Sequence, residues 1–137
     1  MKDTELKEMR DRALYQVYLQ GLEEGRFNSM REAGEYVRKQ PAPQFFLSSR
    51  VASLYIGMIM QGISLLHLNS LSRRRIWTLY DRYVEWKREN ASSTLSRERI
   101  CEILVEEPAP EFYVTMEQAR KSIWKEWKKA REKWYGR

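Results

Sequence analysis

Apolar residues along this chain fall into six stretches of helical period, and one ten-residue interruption occurs twice, before the third stretch and before the sixth. In residues 3–22, Leu6, Met9, Ala13, Val17 and Gln20 mark one side, while Leu14, Tyr15, Tyr18 and Leu22 widen the apolar face, so a first helix is expected. Gly21 and Gly25 suggest fraying and a loop. Asn28 or Ser29 is placed to cap a second helix that runs to about Lys39, with Met30, Ala33, Gly34 and Val37 inward. A third helix is expected from about Ser49, with a possible break at Gly62. His67 to Ser72 reads as a joint, with Ser70 or Ser72 capping the fourth helix. Ser96 caps a fifth, with Ile100, Ile103 and Leu104 inward, and Thr115 to Trp134 forms the sixth. The fold class expected is all-α.

The interruption reads QPAPQFFLSS at residues 40–49 and EPAPEFYVTM at residues 107–116. Pro41 and Pro43, and likewise Pro108 and Pro110, lack an amide hydrogen and push the residues before them out of helical geometry, so each incoming helix must stop. An extended aromatic-aliphatic run follows, and a hydroxyl residue then sits where a new helix can begin. In the second copy Thr115 precedes Gln118 by three residues, the spacing of a capping box.

A second motif repeats in the same order. Leu14-Tyr15-x-x-Tyr18-Leu19 is matched by Leu79-Tyr80-x-x-Tyr83-Val84, offset by 65, and the corner and the Ser29/Ser96 cap are both offset by 67. Two motifs in one order with a consistent shift indicate duplication. Residues 1–68 and 69–137 are therefore expected to be two tandem three-helix, helix-turn-helix-like units packed together.

Composition narrows the chemistry. The chain has 137 residues, enough for one ordinary domain or two small units sharing a core, and 42% hydrophobic content supplies that core. One cysteine, Cys101, excludes an internal disulfide and fits a reducing, cytoplasmic compartment. The N-terminus alternates charges and lacks an apolar leader. Val51 to Leu71 carries no formal charge, but Gln61, Asn69, His67 and three serines make it too polar for a membrane span. With one histidine, one cysteine and no glycine-rich phosphate loop, no metal, cofactor or enzymatic site is expected. His67 is expected in the interior or at an interface. Glu106, Glu107 and Glu111 flank the second corner without an evident basic partner.

Charge points to a polyanion. The net charge is +6, and Thr115 to Arg137 holds eight basic residues against three acidic ones. Three short helices with a turn between the second and third suggest helix-turn-helix DNA readers, although residues 39–48 form a longer connection than the usual turn. The candidate contacts are Ser49, Arg50 and Ser53 on the third helix, Gln118, Lys121, Lys125, Lys128, Lys129 and Arg131 on the sixth, and Arg73, Arg74 and Arg75 on the fourth. Trp124, Trp127 and Trp134 share a face of the sixth helix, and are expected to be core packed on the fourth helix through Trp77, Tyr80, Tyr83 and Trp86. The uncharged stretch around Tyr55, Met58, Ile59 and Leu66 is a candidate interface for a protein partner or a second copy.

The combined pattern of L-Y-x-x-Y, a capped helix and P-A-P-x-F-aromatic-aliphatic-S/T resembles small basic helical proteins of phages and mobile elements in gut Bacteroidetes, over Leu14–Ser53 and again over Leu79–Ser122. The resemblance implies a viral or mobile-element setting and a DNA-related role in transcription control or packaging. The function expected is duplex DNA binding. The alternative is a protein-interaction module, such as a virion component or an inhibitor of a host protein.

Overall fold

The computed structural model describes residues 3–135, and it is all-α. Six helices follow in order: α1 (Asp3–Glu23), α2 (Met30–Arg38), α3 (Ser49–Met60), α4 (Ser70–Glu89), α5 (Arg97–Val105) and α6 (Met116–Tyr135). Side-chain caps start them where short polar residues interrupt the apolar period. Ser29, Ser48 and Ser96 accept the amides of Glu32, Val51 and Arg99. Thr115 and Gln118 close a reciprocal capping box at 3.1 and 2.9 Å. The fourth helix departs from expectation, because Asn69 rather than Ser70 or Ser72 caps it, through Oδ1 and the Ser72 amide at 2.8 Å. Gly62, at φ 76°, ends the turn after α3 in the left-handed region that glycine enters without steric cost. Gly21 does not fray; it lies inside α1 where the rings of Phe27 and Tyr36 approach closely.

The two three-helix units do pack together, and they do so by exchanging their third helices. α6 lies against α1 and α2, whereas α3 lies against α4 and α5. The exchange is made at the Pro-Ala-Pro corners. In each corner the alanine carries the only amide hydrogen between the two prolines, and it is used: Ala42 and Ala109 donate to one another's carbonyl oxygens at 2.9 Å in both directions. The next contacts repeat the symmetry. The Phe45 amide donates to Val105 O at 3.0 Å, and the Phe112 amide donates to Arg38 O at 3.3 Å. Both pairs are related by the 67-residue offset, so a local two-fold axis passes between Ala42 and Ala109.

Aromatic rings lock the crossing. Phe45 stacks on Tyr113 and Phe46 on Phe112, each pair with centroids 6.1 Å apart. Phe46 and Tyr113 hold φ of 52° and 56°, a left-handed backbone that bulky side chains avoid. That strain persists because each ring is held by the opposite corner. Beneath the corners Leu14, Val37, Ile56, Leu79, Ile100, Leu104 and Ile123 form one continuous core shared by both halves.

The exchange also corrects several expectations. The tryptophans of α6 are not core, because α6 packs on α1 and α2 rather than on α4, and its inward residues are Ala119, Ser122, Ile123 and Glu126. Trp124 and Trp134 are 55% and 83% exposed. The side chain of Tyr135, and Arg137, lie outside the described residues. On α5, Ile103 faces out and Cys101 faces in, where burial pushes its thiol up to about 11. His67 is exposed beside Tyr55 rather than interior. No helix among the described residues is long and apolar enough to cross a membrane.

Candidate nucleic-acid interface

Because α6 is delivered onto α1, the start of α1 runs beside the polar first turns of α6. A cleft of about 210 Å³ between them is lined by Lys7, Arg10 and Asp11 of α1 and by Gln118, Lys121, Ser122 and Lys125 of α6. The spacing of Gln118, Lys121, Lys125 and Lys128 along α6 keeps them on one side of that helix, so Lys128 extends the row. Lys121 and Lys128 make no ion pair among the described residues.

At the centre of this seam is a buried carboxylate. Asp11 is fully buried and accepts from Ser122 Oγ at 2.7 Å and from Lys125 Nζ, with Arg10 Nη2 at 3.3 Å. Burial alone pushes its carboxyl up, but the hydrogen bonds from Lys125 and Ser122 and the charges of Arg10 and Lys125 outweigh it and hold the pKa below its ordinary value. Asp11 thus fixes Lys125 and Ser122 in place and leaves the surrounding cations in excess.

The basic face continues to α3. Lys7 and Arg10 also line a second cleft, of about 290 Å³, with Arg75 of α4 and Ser48 and Val51 at the start of α3. Beyond it a broad groove of about 990 Å³ runs past Ser49, Arg50 and Ser53 to α5, where Arg97 is joined by Glu98, Glu102 and Glu106. Arg50 is exposed and unpaired among the described residues, whereas Ser53 accepts from Arg97 Nε at 3.1 Å. The structure therefore brings Gln118, Lys121 and Lys125 together with Lys7 and Arg10, and joins them through Arg10 to Arg75 and the start of α3.

Other candidate residues have different surroundings. Arg73 donates to Leu68 O at 2.9 Å and holds the loop before α4. Arg74 makes a two-pronged pair with Glu111 at 2.5 and 3.0 Å, so Glu111 beside the second corner does have a basic partner. Glu107 is 4.0 Å from Arg82, whose guanidinium also covers the Phe45 ring at 4.9 Å and donates to Pro108 O at 2.6 Å. With Thr78, between Arg74 and Arg82, accepting from the Tyr113 hydroxyl at 3.1 Å, three successive turns of α4 thus clasp the corners. On α6, Lys129 pairs with Glu126 at 3.2 Å, and Arg131 lies 5.5 Å over the Trp127 ring, itself stacked on Trp124.

Of the candidate partner residues, Leu66 is 78% exposed, while Tyr55, Met58 and Ile59 are half-buried. Leu54, Met60 and Ile63 are exposed nearby. Lys7 and Arg10 were not singled out from the sequence, although Arg10 stands 65 positions before Arg75, the offset that relates α1 to α4. Compared with protein-family models, curated proteins and solved structures, the chain matches none.

Proposed function

We propose that this protein binds nucleic acid, duplex DNA in particular, through the face formed by the first turns of α6, the start of α1 and the N-terminus of α3. The observation that carries the reading is the shared cleft, in which two cations of α1 join Gln118, Lys121 and Lys125 of α6. Lysines and arginines on rigid helices suit phosphate contacts, and Gln118, whose Oε1 accepts the Thr115 amide, keeps its amide N–H groups to donate to a base edge. The phage or mobile-element setting implied by the motif resemblance is compatible with this role, in transcription control or packaging.

A fluorescence-anisotropy titration of labelled duplex DNA at two salt concentrations tests it. Binding is expected at about 50 mM salt and should weaken steeply as counterions compete; each lost phosphate contact lowers the salt slope by about 1. Lys121→Glu and Lys128→Glu should weaken binding without regard to sequence, and absence of binding at about 50 mM salt overturns the reading.

A second reading rests on the exposed apolar residues Leu54, Met60, Ile63 and Leu66. Exposed apolar side chains along one uncharged segment suit association with a protein or a second copy. Light scattering across concentrations tests self-association; a mass that stays monomeric removes the second-copy version.

A further inference from the structure

The cleft between α1, α4 and the start of α3 holds two arginines whose charge is poorly answered by the protein. Arg10 and Arg75 are the same position in the two copies of the repeat, 65 residues apart, and the exchange brings both to one cavity of about 290 Å³ with Lys7 at its edge. The Nε atoms of both guanidinium groups are buried and have no hydrogen-bond partner. Arg10 spends one terminal nitrogen on Asp11, at 3.3 Å. Arg75 has no carboxylate partner among the described residues and reaches only Phe45 O, at 3.5 Å. The acidic side chain lining the cleft is Asp3, which is exposed at the very start of α1. A desolvated guanidinium facing a like charge is costly unless an anion joins it.

We infer that this cleft is a binding site for a phosphate-type oxyanion, held between Arg10 and Arg75. The donor set matches that chemistry. A guanidinium offers parallel N–H groups to two oxygens of a tetrahedral anion, and two such forks, with the Lys7 ammonium at the edge, can neutralise a doubly charged ion. Ser48 borders the cleft; its oxygen caps α3 and its own hydroxyl hydrogen remains to donate. The first turn of α3 has no acidic residue to repel an anion. Phe46, Leu47 and Val51 supply an apolar wall that keeps the interaction out of bulk solvent. Burial and then the nearby Arg10 charge lower the Arg75 pKa, a penalty that a bound anion reverses. The inference goes beyond the nucleic-acid reading and does not depend on it, since the anion can be free phosphate, a phosphomonoester or a DNA backbone phosphate.

The experiment titrates inorganic phosphate into the full chain at constant ionic strength, with chloride as the control, and follows thermal unfolding and binding heat. Phosphate at about ten times its dissociation constant should raise Tm by about 5 °C above chloride. Arg75→Met and Arg10→Gln should each lower phosphate affinity by about tenfold or more, while Lys87→Gln, exposed near the far end of α4, should leave it unchanged. In phosphate-free buffer Arg75→Met should be at least as stable as the wild type, an outcome that a purely structural arginine would reverse. If Arg75→Met does not fold, Arg10→Gln decides. Phosphate stabilisation no greater than that of chloride, or stabilisation that survives in the arginine variants, overturns the site. Labelled duplex DNA separates the sources: competition by phosphate identifies a backbone phosphate, and phosphate binding without DNA binding retains the site while removing the nucleic-acid reading.

Discussion

The seam of α1 with α6 and the seam of α4 with α3 are one contact made twice, yet they are filled differently. At the first, Asp11, Ser122 and Lys125 form a buried hydrogen-bonded group. The corresponding positions in the second are Ile76, Tyr55 and Met58. The helices also differ, α6 having 20 residues and α3 only 12. The crossing of the corners dictates how the backbones meet, and the side chains are then free to diverge. Basic residues collected where the seam became polar; exposed apolar residues collected around the shorter, uncharged helix. That divergence is why one half is assigned the polyanion and the other, in the second reading, a protein partner.

The corner is where the two halves should remain alike. Phe45→Ala and Phe112→Ala each empty a fully buried ring site, so each should cost about 3–5 kcal/mol in urea unfolding. Costs differing by several-fold would break the two-fold equivalence of the corners.

A smaller effect should separate the halves at their second helices. Gly34 and Cys101 occupy the same repeat position, but a Cβ on Gly34 would come within 2.8 Å of Met116 O, whereas the other half accommodates a buried sulfur. Gly34→Ala is expected to cost about 2 kcal/mol through forced separation of α2 and α6. Cys101→Ala should cost about 1 kcal/mol, by loss of packing alone. Equal values would show that the α2–α6 approach relaxes freely.

The seam itself gives the smallest difference and a distinct pH signature. Because the folded-state pKa of Asp11 is lowered, its contribution is present above the unfolded value near pH 4 and is lost as pH falls through the folded value. Asp11→Asn should cost about 1–2 kcal/mol at pH 7 and flatten the stability profile below about pH 4. The triple variant Asp11→Ile, Ser122→Tyr, Lys125→Met, which copies the whole apolar seam, should recover most of that loss, whereas Asp11→Ile alone leaves Ser122 and Lys125 without their acceptor. An unchanged acid limb in Asp11→Asn would remove Asp11 from this role.

The local elements were legible because their signals are local. Ser29, Ser96 and the Thr115–Gln118 box start helices as their spacing indicates, and the prolines stop the preceding ones. The duplication was equally readable. Which copy of the third helix packs on which pair was not, because an amphipathic helix specifies that it buries a face, not whose. The misplacement of Trp124 and Trp134 follows from that single ambiguity: assigned to α4, they read as core, and seated on α1 and α2, they face solvent. The site was partly legible for the same reason. Gln118, Lys121 and Lys125 were readable on α6, but Lys7 and Arg10 become their neighbours only through the exchange.

The exchange also sets a timetable. As the chain is made from its N-terminus, α1 and α2 emerge first, yet the helix that covers them comes last; Asp11 meets Ser122 across 111 positions. Until α6 is synthesised, the inward faces of Leu14, Ala33 and Val37 lack their final cover, while α3, α4 and α5 can already assemble around one another. The half that carries the basic face therefore gains its cover only once α6 has been made, after the half built from α3, α4 and α5 has all of its helices.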